Sequence, residues 1–161
     1  MKLKSLSSNL ILLLQEILSN QELCKLIEHN TSNPYTEQDI ETNQLMLKKV
    51  FPFPFNEEVK TQEGTQLRVY YPDIQIKGNQ VIEKPLIFFD IICSKSNDIW
   101  LINDGQPKIR PYEIASELIT HLSDRSIGTL GKVKFNRIPH VYINEKFDCV
   151  RVIGEIMTIG K

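Results

Sequence analysis

The stretch Leu86–Leu122, LIFFDIICSKSNDIWLINDGQPKIRPYEIASELITHL, decides the fold. It opens on a continuous apolar run of strand length, Leu86 to Cys93. After the polar SKSND comes a second short run, Ile99 to Ile102, and a hairpin is the natural joining of the two. Asn103-Asp104-Gly105 marks another turn. Pro111 suits the first turn of a helix, where its missing amide would have no partner anyway. Ile114, Ala115, Leu118, Ile119 and Leu122 recur at three and four residues and give that helix one apolar face.

Toward the N-terminus the pattern is helical. Leu10, Leu13, Leu14 and Ile17 share a face, with Ser7, Ser8 and Asn9 as candidate caps. Ser19-Asn20-Gln21-Glu22 reads as a capping box that breaks the chain near residue 19 or 20 and starts a second helix over Leu23, Leu26 and Ile27. Asn30–Pro34 (NTSNP) is turn chemistry, and Thr36–Asp39 offers a cap for a third helix running to about Lys49. Phe51-Pro52-Phe53-Pro54-Phe55 then ends any helix, because each proline lacks a donor and pushes its predecessor toward extended geometry. Its aromatic side chains are expected to pack on a sheet.

The rest is strand-like. Leu67–Tyr71 alternates, the polar segment Asp73–Pro85 reads as a solvated hairpin, and beyond Gly128 and Gly131 come Lys132–Phe135, Val141–Ile143 and Phe147–Ile159 as closing strands. Gly154 is the place where the last would bend or bulge. Helices, then strands, one helix and strands again predict an α+β fold: a mainly antiparallel sheet with helices on one face and a helical N-terminal segment. At 161 residues the expectation is one domain, with 1–50 helical and 51–161 holding the sheet and one helix.

Composition narrows the function classes. Lys+Arg 19 against Asp+Glu 20 gives no global basic field, so nucleic acid is disfavoured as the main partner. No stretch approaches the roughly 20 apolar residues that span a bilayer. The run Leu10–Leu14 is cut by Gln15 and Glu16, so it is read as helix and not as a signal peptide, and a cytoplasmic chain is implied. Cys24, Cys93 and Cys149 are odd in number and far apart, which predicts free, buried thiols.

Chemistry is sparse. His29, His121 and His140 have no partner at metal-ligand spacing, and phosphate-binding loops and nucleophile elbows are absent, so no cofactor, metal or catalytic residue is expected. Asp73, Glu83 and Lys84, or Asp90 and Lys95, have poor spacing for a metal-dependent nuclease, which is kept only as an alternative. Glu113 and Glu117 lie one turn apart at the start of a helix, where the dipole favours acids. Asp90 interrupts the apolar run and needs a partner. Arg110, just before Pro111, is the candidate: Asp90 and Arg110 are expected to form a structural or interface pair.

IFFDIICSK, IWLINDG, KIRPYEIASELITHL, VKFNRIP and FDCVRVIGEIM resemble the neck and tail-completion proteins of long-tailed bacteriophages, most closely the tail terminators. NQELCKLIEHNTSNP and KKVFPFPF are similar to the N-terminal part of such proteins. The resemblance implies a virion protein made in the host cytoplasm. It would form a ring of copies, usually a hexamer, on the last ring of tail tube protein and face the head connector or neck proteins. No enzyme activity and no membrane belong to that role, and DNA would be met only as it passes through the ring. The extra N-terminal helices and the Pro-rich link depart from the pattern and leave room for another neck component such as a head-tail adaptor.

Overall fold

The computed structural model describes residues 1–54, 64–96 and 99–157. Helix α1 spans Leu6–Leu18, α2 Gln21–Glu28 and α3 Arg110–Leu122. The strands are β1 (Val50–Phe51), β2 (Thr65–Tyr70), β3 (Ile76–Lys77), β4 (Val81–Ile82), β5 (Leu86–Ser94), β6 (Trp100–Asn103), β7 (Gln106–Ile109), β8 (Lys132–Arg137) and β9 (Phe147–Met157). A five-stranded sheet has the order β1-β2-β5-β9-β8; β3-β4 and β6-β7 are separate two-stranded ribbons. Only β1 pairs in parallel; the other pairings are antiparallel. The fold is α+β.

Central strand β5 has its full length in register with β9, Leu86 opposite Glu155 through Ser94 opposite Phe147. Its period of two sends Ile87, Phe89, Ile91 and Cys93 into the core shared with the three helices, and Phe88, Asp90 and Ile92 to the opposite face. The same core takes Leu13, Leu14 and Ile17 from α1, Leu23 and Leu26 from α2, and Ile114 and Leu118 from α3. The helical N-terminal part and the sheet therefore bury one hydrophobic cluster between them, each large apolar side chain contributing about 1.5–3 kcal/mol.

Local expectations met different fates. The break between α1 and α2 falls as expected, but Asn20 caps α2 by accepting from the Leu23 amide at 3.1 Å, while Ser19 donates to the Glu16 carbonyl at 2.6 Å. Ser7, Ser8 and Asn9 lie within α1 and do not cap it. Asn9 is buried and accepts from the Thr129 hydroxyl. The third helix does not form. Short 3-10 turns occupy Pro34–Thr36 and Thr42–Gln44, the amides of Lys48, Lys49 and Val50 converge on the Leu45 carbonyl, and Leu47 has φ 60. Ile40 and Leu45 are the buried apolar residues of this segment, with Met46 partly buried against the core beside Leu45, and the spacing of five between the two buried ones does not make a helical stripe.

The hairpin expected between β5 and the run at 99–102 is also corrected. β6 turns into β7 through Asp104 and Gly105, with φ 50 and 72, the two-residue turn whose twist matches antiparallel strands. Part of the proposed turn SKSND, residues 97–98, lies outside the described residues, as do Phe55 of the Pro-rich link and the end of the last strand, 158–159. Val141–Ile143 is not a strand; Val141 and Ile143 pack on Ile92, Phe147 and Cys149. Gly154 stays in register, and the irregularity sits opposite, between Phe135 and Arg137. Glycine is required at 154 for space: a Cβ there would stand 2.7 Å from Val133 Cγ1.

Candidate functional site: a saturated charge row and an apolar surface

Asp90 is buried, as its apolar neighbours predict, but its partner is not Arg110. Arg151 Nε donates to Oδ1 at 2.7 Å and Nη2 to Oδ2 at 3.0 Å, a bidentate pair, and the Tyr70 hydroxyl donates to Oδ2 at 2.7 Å. Parity decides this. Asp90 faces away from the helices, and Arg68, Asp90 and Arg151 occupy one register row across β2, β5 and β9, whereas Arg110 opens α3 on the other side of the sheet.

The row is electrostatically closed around its acid. The Asp90 hydrogen bond raises the Arg151 pKa further, and burial followed by the bond to Asp90 pushes Tyr70 well above its ordinary range. The Arg151 guanidinium carbon also stands 4.5 Å over the Phe88 ring. Burial lowers the Arg68 pKa, and the field of Asp90 opposes that. Arg68 donates to the Pro54 carbonyl and to Gln66, while its Nε has no partner among the described residues.

Arg110 has a different use. It is fully buried and donates to three backbone carbonyls at the end of α2: Leu26 at 2.6 Å, His29 at 2.9 Å and Thr31 at 2.7 Å. A guanidinium at that place satisfies carbonyls that a helix end leaves over and complements the negative pole of its dipole. Glu113 and Glu117 also tie helices together. Glu117 accepts from Asn20 at 2.8 Å and Glu113 bonds Tyr35, whose pKa burial and then the nearby Glu113 push up to about 12.

The nuclease carboxylates are occupied elsewhere: Glu83 pairs with Lys77 at 2.5 Å and Lys84 reaches Glu155 at 3.8 Å. His121 contacts the Glu16 carboxylate at 3.2 Å and His140 that of Asp148 at 3.3 Å. Among the described residues no group of three or more His, Cys, Asp or Glu could hold a metal ion. No helix among them is long and apolar enough to cross a membrane.

What the surface does offer is apolar. The β6–β7 ribbon buries Leu101 and turns Trp100, 56% exposed, and Ile102 outward, with Ile109 opposite Trp100. The ribbon is held from behind where the Ile102 amide donates to the Ser32 carbonyl at 2.7 Å. Tyr112 follows at the start of α3 and its ring stands edge-on to His140 at 6.0 Å. Ile138 and Tyr142 flank that histidine, and Tyr142 is 81% exposed. The sequence does not reveal this surface, because the apolar run at 99–102 reads as core until Leu101 is known to take the inward place.

A family model described as YomW matches residues 20–156, from the cap of α2 almost to the end of β9. The chain belongs to the YomW family. That family takes its name from a gene of the Bacillus phage SPbeta region, which suggests a phage-derived protein. The match includes the charge row, Arg110 and the apolar surface, so each lies in the YomW portion of the chain, while the whole of α1 precedes it. No curated protein and no solved structure matches the chain.

Proposed function

We propose that this YomW-family chain is a structural virion protein: a tail terminator that forms a ring, taken as a hexamer, at the neck of a long-tailed phage, capping the tail tube and meeting the head connector. The observation that carries the reading is the surface over Trp100, Ile109, Tyr112 and Tyr142. Aromatic side chains so presented mark protein interfaces, where they supply large contact areas at small entropic cost. The membership in a phage-named family and the terminator-like segments supply the context.

Deleting the gene from the phage that carries it and imaging the particles tests the reading. The expected result is free heads together with tails of uncontrolled length, both corrected by supplying the chain in trans. A symmetric ring at the neck should disappear with the gene. One copy per virion, or a neck without a symmetric ring in the intact phage, overturns the proposal.

A further inference from the structure

The exposed surface on the ribbon has a counterpart elsewhere on the same molecule. A groove of about 350 Å³ opens between the end of α1 and the 3-10 turn Thr42–Gln44, lined by Gln15, Leu18, Ser19, Thr42, Asn43 and Met46. That lies in the usual size range of ligand pockets, ~300–1,000 Å³, and leaves room for an aromatic side chain. Apolar side chains also stand beside it. Ile11 lies on the Gln15–Leu18 stripe of α1, and Leu47, next to Met46, is 61% exposed.

We infer that the two surfaces join copies of this chain head to tail, with Trp100 and its neighbours on one copy seated over the groove at the end of α1 on the next. The argument starts from area. Trp100, Ile102, Ile109, Tyr112, Ile138 and Tyr142 together expose roughly 600 Å², taking about 150–250 Å² for a whole aromatic side chain. A typical monomer's largest apolar patch is about 300–600 Å², and a standard interface takes ~800 Å² from each partner. The patch therefore supplies most of one side of a stable contact, including its apolar centre.

The second step is the form of the other side. The patch lies exposed on a two-stranded ribbon and the groove is concave, and they are built from different elements, β6–β7 with α3 on one hand and α1 with the 42–44 turn on the other. A contact between unlike surfaces is heterologous, and repeated by rotation it closes into a ring. The inference rests on the ring proposed above and names the faces that would make it.

Two variants test it by complementation. Trp100→Glu removes the exposed aromatic anchor and Asn43→Arg lays a charged chain over the groove; both positions are exposed, so each variant should melt like the parent. Light scattering over a concentration series should show the parent assembling and each variant alone weakened on the order of 30-fold or more, the effect of losing an interface anchor. Mixing the two variants should give a dimer and nothing larger, because each supplies the surface the other lacks. A parent that stays monomeric up to millimolar concentration overturns the inference, as does a mixture that stays monomeric or variants that assemble like the parent. Rings at the neck of phage carrying either variant would sink these faces while leaving the terminator reading intact. A mixed dimer from a chain absent from the neck would do the reverse.

Discussion

Replacing Arg110 by alanine should unfold a large fraction of the protein's stability reserve, through the helix pair and not through Asp90. The side chain is 0% exposed and carries three charge-assisted hydrogen bonds of 2.6 to 2.9 Å to the carbonyls of Leu26, His29 and Thr31. Truncation leaves the Leu26 carbonyl without that donor in the interior, at about 1–3 kcal/mol. The His29 and Thr31 carbonyls are only partly buried and can recruit water, so they add less. With the cavity vacated by the side chain, the sum is on the order of 4 kcal/mol against a typical total of about 5–15. Lysine retains the charge but not the planar fork, so Arg110→Lys should recover only part of the loss. Urea titration of the isolated chain, followed by far-UV circular dichroism, reads this as a lowered midpoint at unchanged slope. A loss under about 1 kcal/mol for the alanine variant would refute the reasoning, and so would full rescue by lysine.

Two further outcomes are expected. Asp90→Ala leaves Arg151 and Arg68 facing each other without their acid and should cost about 3–5 kcal/mol, whereas the double variant Asp90→Ala/Arg151→Ala should recover part of that cost; additive losses in the same urea titration would contradict the pair. Burial raises the thiol pKa of Cys24 to about 11 and of Cys93 and Cys149 to about 12, from an ordinary 9.0. A raised folded pKa favours the neutral thiol, so this stability is complete below about pH 9 and is lost as pH rises from there through 11 and 12. The urea midpoint should thus fall above pH 9, and all three thiols should label in denaturant but resist reagent in the native protein. A midpoint flat to pH 11, or thiols that react natively at the rate of a free cysteine, would count against it.

The elements most legible in the sequence are those whose residues carry their own reason. α3 combines Pro111 with a clean apolar stripe, and the observed helix is Arg110–Leu122. β5 is an apolar run buried on both faces, and no helical pattern competes with it. The failures come where the deciding partner is distant. A buried Asp90 could be read from IFFDIIC, but choosing Arg151 over Arg110 required knowing that β9, not β6, lies beside β5 and that residues of one parity share a face. Counting parity along FDCVRVIGEIM would have supplied half of that, since Arg151 alternates with the core residues Val150 and Val152. The segment 36–49 is misleading because its polar residues are good helix formers while its packing rests on Ile40, Leu45 and the partly buried Met46, which do not fall on one helical face. The apolar surface was illegible for a related reason: Trp100 and Ile102 look like core until Leu101 is known to take the inward place.

The place of β9 between β5 and β8 has a consequence for how the chain is made. Phe89 must wait for Val152, and β8 has no neighbour in the sheet until β9 arrives. At about 5–20 residues per second, synthesis leaves several seconds between completing β5 and completing β9. During that interval one edge of an apolar strand is open to other nascent chains. Asp90, in the middle of that strand, then has Tyr70 and the field of Arg68 from β2 but still lacks its bidentate partner Arg151, so its charge is only partly compensated. The residue that later anchors the finished sheet is thus also a gatekeeper against premature pairing, disfavouring every strand that does not bring an arginine to the same row.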